Sequence, residues 1–80
     1  MTYNEALQIQ LKRLCKERKI TPNKLATLSG LRQSTVRDIM TGTSQIPKIS
    51  TLHKMAVGLD MTISQLLDFP EMNEVEFDDE

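Results

Sequence analysis

The stretch from Ile20 to Gly42, ITPNKLATLSGLRQSTVRDIMTG, constrains the fold more than any other part of this 80-residue chain. Thr21 can cap a helix that begins at Pro22, because proline's fixed φ and missing N–H are tolerated at a first helical position. Gly30 is suited to end that helix, since a left-handed residue commonly follows the last turn. The stretch therefore predicts two short helices that are joined by a tight turn.

Small and apolar residues in this stretch follow a fixed spacing. Ala26, Gly30, Val36 and Ile39 fall at relative positions 0, 4, 10 and 13. Two helices that cross steeply need a small contact residue, a left-handed turn residue and two core anchors at such positions. The spacing predicts a helix-turn-helix over residues 21–42.

A longer helix is predicted ahead of this unit. Thr2 and Glu5 have the spacing of a capping box, so the first helix is expected to run from near Tyr3 to about Arg18. Its apolar stripe consists of Leu7, Leu11 and Leu14. Its basic residues are expected on the other faces, as a solvated surface or as phosphate contacts: Lys12, Arg13, Lys16 and Lys19.

The helical period divides the two helices of the central unit into faces. In the second helix the buried side is expected to hold Leu25, Ala26 and Leu28. The third helix is predicted over residues 33–41. Its apolar face comprises Val36, Ile39 and Met40, and its polar face comprises Gln33, Ser34, Arg37 and Thr41.

Two more helices follow. The fourth carries its apolar residues at i, i+3, i+4 and i+7, and its cap is either Lys48 or Ser50. Those apolar residues are Leu52, Met55, Ala56 and Leu59. Thr62 and Gln65 again have capping-box spacing and open a short fifth helix before Pro70. The sequence therefore predicts a compact all-α fold of five helices.

The net charge of −1 conceals a division of the chain into two parts. Residues 1–70 hold ten basic and five acidic side chains, a net of +5, whereas residues 71–80 hold six acidic side chains. We therefore expect one folded domain over residues 1–69 and an acidic C-terminal tail over residues 70–80. A basic body is compatible with a nucleic-acid partner.

Composition argues against several other classes of protein. Cys15 is the only cysteine, so neither an intrachain disulfide nor a cysteine zinc cluster is expected, and a small buried filler is favoured over a redox-sensitive thiol. His53 has no second histidine or cysteine nearby, so we expect no metal, no cofactor and no enzymatic activity. Without a membrane span or a secretion signal, a soluble cytoplasmic protein is predicted.

The central unit and its surroundings resemble the lambda repressor/Cro-like (XRE) family of small helix-turn-helix regulators. The resemblance covers roughly residues 7–67 and includes IPKISTLHKMAVGLDMTISQLL, which is similar to the family's fourth and fifth helices. It implies a compact five-helix DNA-binding domain whose third helix enters the major groove. Four positions depart from the family's usual residues: Cys15, Pro22, Arg32 and Met40.

The resemblance also implies which side chains contact DNA. Gln33, Ser34 and Asp38 match the family's base-facing positions, and Arg37 lies beside them. Gln can pair with adenine, Arg with guanine, and a carboxylate can accept from cytosine N4. The expected phosphate contacts lie at the start of the second helix and on both sides of the third: Thr21, Asn23, Lys24, Arg32, Thr43 and Ser44.

These residues predict a sequence-specific regulator, most simply a repressor that reads an operator as a homodimer. The dimer contact is expected from the fourth and fifth helices or from residues 69–77. An antitoxin whose acidic tail binds a toxin is one alternative. Another is a protein-interaction module that has kept the fold and lost DNA binding.

The tail itself has three interpretations. Val75, Glu76 and Phe77 alternate as a short strand does, so the tail could bind a partner or build the dimer. It could also be a disordered, solubilising end. Alternatively, its carboxylates compete with DNA phosphates for the basic body.

Overall fold

A computed structural model of the chain describes residues 1–43 and 45–77. Within those residues the chain forms five α-helices, one short 3-10 helix and no strand, so the predicted all-α class is confirmed. None of these helices is both long and apolar enough to span a lipid bilayer. The α-helices are α1 (Tyr3–Arg18), α2 (Pro22–Ser29), α3 (Gln33–Thr41), α4 (Ile49–Gly58) and α5 (Ile63–Leu67), and the 3-10 helix is Pro70–Glu74.

Local capping fixes where these helices begin. Thr2 and Glu5 form a reciprocal capping box on α1, and Thr62 and Gln65 form another on α5, both as predicted. The start of α4 was ambiguous from the sequence. Lys48 takes the cap position there, although its side chain makes no capping hydrogen bond.

The core is a single apolar cluster that all five α-helices enclose. α2 packs against both α3 and α4. α4 therefore contacts the helix-turn-helix through α2. The buried cluster contains Leu7, Leu11, Leu14, Cys15, Leu25, Ala26, Val36, Ile39, Met40, Leu52, Met55, Ala56, Leu59 and Leu66. The interior faces predicted for α1, α3 and α4 are therefore correct.

One core prediction was wrong. Leu28 was expected on the buried side of α2, but its side chain is 45% exposed, and Ser29 is buried instead. The buried face of α2 is formed by Leu25, Ala26 and Ser29. At 3.6 residues per turn, Leu28 lies roughly 110° from the centre of that face, so its side chain is turned toward solvent.

Polar side chains tie α1 to the last two α-helices. Gln10 is buried and donates from Nε2 to the carbonyl of Leu66 at 3.1 Å. Arg18 donates from Nε to the carbonyl of Leu59 at 3.2 Å, at the C-terminal end of α4. These bonds satisfy the carbonyls of Leu66 and Leu59. α1 is therefore held to α4 and α5 by polar contacts as well as by the apolar core.

The chain after α5 folds back along α1, and we call residues 69–77 the C-terminal strap. Phe69 is only 5% exposed, and Met72 packs against the core cluster. Arg13 donates to both carboxylate oxygens of Glu71, at 2.9 and 3.4 Å, and to Oε1 of Gln10 at 3.1 Å. Arg13, expected to be solvated or bound to phosphate, therefore anchors the strap.

Candidate nucleic-acid interface

The turn between α2 and α3 is built as its sequence predicts. The Thr21 hydroxyl accepts from the Lys24 amide at 3.1 Å, and Pro22 occupies the first turn. Gly30 has φ +67°, and its amide donates to the carbonyls of Ala26 and Thr27. Because only glycine adopts this conformation without strain, Gly30 sets the direction in which α3 leaves α2.

α3 is amphipathic and is fixed by its apolar face. Val36, Ile39 and Met40 are 0%, 3% and 8% exposed. The opposite face presents Gln33, Ser34, Arg37 and Thr41 to solvent. A helix held by three core side chains keeps its exposed side chains in a defined register, which groove reading requires.

The N-terminal end of α3 has no side-chain cap. Arg32 occupies the cap position in an extended conformation and makes no side-chain capping hydrogen bond. A helix N-terminus of this kind presents amide groups and the positive end of the helix dipole. An anionic group such as a DNA phosphate is therefore favoured at this end of α3.

The residues predicted to contact phosphates lie at both ends of this surface. Thr21, Asn23, Lys24 and Arg32 are all exposed around the α2 and α3 N-termini. Thr43 is exposed beyond the C-terminal end of α3. The predicted contact Ser44 lies outside the described residues. Five of the six predicted side chains are thus accessible to a ligand.

Thr43 is less available than its exposure suggests. Its amide donates to the carbonyl of Asp38 at 3.0 Å, and its hydroxyl lies 3.2 Å from that of Thr41. Thr41 in turn donates to the carbonyl of Arg37 at 2.9 Å. The two hydroxyls close the last turn of α3, so Thr43 would have to exchange a local hydrogen bond for a phosphate contact.

Asp38 differs from the other base-reading candidates in position. It is half-buried, whereas Gln33, Ser34 and Arg37 are exposed. It lines a cleft of about 220 Å³ between α3 and the following loop, together with Thr35 and Gln45. Sequence reasoning did not select Gln45, because it lies outside the helix whose period was read, and it left Thr35 out of both faces of α3.

Two of the ten basic residues serve the fold. Arg13 holds Glu71, and the hydrogen bond between them lowers the pKa of the Glu71 carboxyl and raises that of Arg13. Arg18 caps α4. The basic side chains at the helix-turn-helix itself, Lys24, Arg32 and Arg37, are exposed. The positive charge around α3 is therefore accessible to a ligand.

The remaining candidates for chemistry lie away from this surface. Cys15 is 5% exposed in the core, and burial raises the pKa of its thiol. A buried thiol with a raised pKa is a packing residue, since the thiolate is the reactive form. His53 is exposed on α4. Residues 1–43 and 45–77 contain no group of three or more His, Cys, Asp or Glu side chains that could hold a metal ion.

The arrangement of α2, turn and exposed α3 matches a known domain. The family model of the Cro/C1-type helix-turn-helix DNA-binding domain matches residues 10–71. This chain belongs to that family. The match includes the whole helix-turn-helix, α4, α5 and the first residues of the C-terminal strap. The resemblance that the sequence suggested is therefore confirmed, and the surface around α3 is that of a DNA-binding domain.

Individual relatives of this Cro/C1-type domain agree with the assignment. The HTH-type transcriptional repressor RghR of Bacillus subtilis (strain 168) is 36% identical over 63 residues, which are 79% of this chain and 47% of the relative. The chain thus spans about half the length of this curated relative.

Two solved structures share the fold. Prophage Lp1 protein 11 superposes with a TM-score of 0.79 and 37% identity, over 94% of this chain and 99% of that one. An HTH_3 family transcriptional regulator from Vibrio cholerae has a TM-score of 0.73 and 32% identity, over 81% of this chain and 36% of that one. The Lp1 protein shows that this architecture also occurs in a chain of similar extent.

Proposed function

We propose that this Cro/C1-type domain binds an operator in double-stranded DNA and represses transcription by occupying it. The observation that carries the proposal is the polar face of α3. Gln33, Ser34 and Arg37 are exposed on a helix whose other face is locked into the core. The similarity to a transcriptional repressor favours repression over activation.

Base reading is assigned to four side chains of α3. Gln33 and Ser34 lie in its first turn, which a helix in the major groove presents to the base edges. Arg37 has the geometry for bidentate bonding to guanine O6 and N7, and Gln33 for adenine. Asp38 is the natural acceptor for cytosine N4, at the edge of the cleft beside α3.

Phosphate contacts position the domain on the duplex. The N-terminus of α2 offers the Asn23 side chain and the Thr21 hydroxyl, and Lys24 adds a cation one residue further on. Arg32 serves the open end of α3, and Thr43 and Ser44 serve its other end. Such contacts supply affinity that does not depend on sequence.

A homodimer fits the size of the molecule and of an operator. One domain reads only a short half-site, and two-fold related half-sites lie about 34 Å apart. The protomer measures 38 × 22 × 21 Å, which is of the same order as that spacing. Val57 is 64% exposed at the end of α4, and it lines a cleft with Met61 at the α4–α5 turn. We assign the dimer contact to this turn.

The proposed role is DNA binding rather than catalysis. It implies a cytoplasmic protein. Selection of bound sequences from a random duplex pool, followed by titration of the selected duplex at increasing salt, tests the proposal. We expect one palindromic site and an association constant that falls steeply with salt, since bound counterions are released. No enriched site, together with a salt slope near zero, would contradict it and favour a protein-interaction module.

A further inference from the structure

The end of the C-terminal strap is fixed beside the first turn of α1. The amide of Glu76 donates to the carbonyl of Met1 at 3.1 Å. Glu76 and Phe77 line a cleft of about 350 Å³ together with residues 2–4 and Ile46. The strap therefore joins the start of α1 to the loop that follows α3.

This corner of the molecule adjoins the proposed DNA surface. Ile46 lies three residues beyond Thr43, to which a phosphate contact is assigned. One turn further along α1, the Gln8 side chain lies against Gly42, which ends α3. Glu76 therefore lies across this cleft from the loop that leads away from the C-terminal end of α3.

The strap is anchored so that only some of its charges are neutralised. Glu71 is paired with Arg13 through two hydrogen bonds, and Phe69 is buried. Glu74 and Glu76 are exposed, and Glu76 lies 3.8 Å from the terminal ammonium of Met1. In the sequence three more acidic residues follow Phe77. Among the described residues Glu74 therefore has no ion-pair partner, and Glu76 forms an exposed pair in the cleft beside the loop that follows α3.

We infer that the C-terminal strap is an autoinhibitory element, which holds negative charge against the DNA surface and weakens the binding of every duplex. This inference rests on the proposed function. Carboxylates fixed near DNA phosphates repel them, and the repulsion depends on distance and salt rather than on base sequence. The strap lowers affinity uniformly and leaves base reading to α3.

The test is a comparison of two charge-matched variants in duplex-binding titrations. E74Q/E76Q removes two carboxylates from the strap and keeps the Arg13–Glu71 pair. E17Q/D68N removes two exposed carboxylates outside the strap and changes the net charge equally. The probes are the selected operator duplex and a random duplex, each titrated at about 50 and about 200 mM salt.

We expect E74Q/E76Q to bind both duplexes about 2- to 5-fold more tightly than the unmodified protein at the lower salt, with a smaller gain at the higher salt. E17Q/D68N should gain clearly less. Equal gains for the two variants would reduce the effect to net charge and overturn the inference, as would no gain for E74Q/E76Q. Melting temperatures of both variants confirm folding.

The unmodified protein separates this inference from the proposed function. If it binds the selected duplex with a steep salt dependence and E74Q/E76Q binds identically, only the autoinhibition fails. If it binds no duplex at either salt concentration, the proposed function fails. A gain for E74Q/E76Q on the operator but not on random duplex would also overturn the inference, because the repulsion would then depend on sequence.

Discussion

Gly58→Ala is expected to destabilise the domain, although alanine is the better helix former. Gly58 is the last residue of α4, where this helix crosses the C-terminal end of α2. A Cβ there would overlap the Ser29 hydroxyl and lie 3.0 Å from the backbone of both Leu28 and Ser29. Backbone atoms cannot rotate away, so the two helices must separate.

The two effects of Gly58→Ala oppose each other and differ in size. Replacing glycine by alanine inside a helix gains at most about 1 kcal/mol, and less at a final position. Overpacking a close contact costs about 1 to 3 kcal/mol. We expect a net loss of about 1 kcal/mol, which lowers the melting temperature by about 4 to 8 °C in a domain of this size.

Thermal and urea unfolding followed by circular dichroism measure this difference. His53→Ala is the matched control, because His53 is exposed in the same helix and lies before the Gly58 crossing in the sequence. Ser29→Ala should recover part of the loss in the Gly58→Ala background by removing the overlapping hydroxyl. A higher melting temperature for Gly58→Ala than for the unmodified protein would refute the reasoning.

Two further predictions concern stability. Because pairing with Arg13 lowers the pKa of Glu71, its contribution to stability is present above the carboxyl's unfolded value near 4.5 and is lost as pH falls below it. Glu71→Gln should lower the melting temperature at pH 7 and clearly less at about pH 3, where protonation of the carboxyl weakens the pair; an equal loss at both values would exclude the ion pair as the cause. Gly42→Ala should cost more than Gly30→Ala, for which we expect about 1 to 2 kcal/mol of left-handed strain. A Cβ at Gly42 would also displace Gln8, whereas one at Gly30 meets no atom within 4 Å. Equal losses in urea unfolding would show that Gln8 moves freely.

Helix caps and the glycines that end helices are the features that the sequence predicted best. Thr2, Thr21 and Thr62 cap the helices to which they were assigned, because a cap depends on residues within one helical turn. Gly30 and Gly42 adopt the left-handed conformation for the same reason. These signals, together with the 3.6-residue period, were enough to predict five helices and the face of α3 that is buried.

Long-range pairings were not predictable from such signals. In the sequence, Arg13 is indistinguishable from the other basic residues on α1. Only the fold brings it to Glu71, which is 58 residues away. Leu28 was misplaced because the face of α2 that packs inward includes Ser29, a polar residue that an apolar pattern does not select. The strap was missed because its 3-10 helix, unlike the equally short α5, has no side-chain cap to mark its start.

The assignment of base reading to α3 is tested most directly by comparing three single variants on two duplexes. Equilibrium titrations of Gln33→Ala, Arg37→Ala and Lys24→Ala with the selected operator and with a random duplex give the specificity ratio of each variant. We expect losses of about 1 to 3 kcal/mol on the operator for Gln33→Ala and Arg37→Ala, with little change on random duplex, and an equal loss on both duplexes for Lys24→Ala. Equal losses on the two duplexes for all three variants would contradict the assignment of this face.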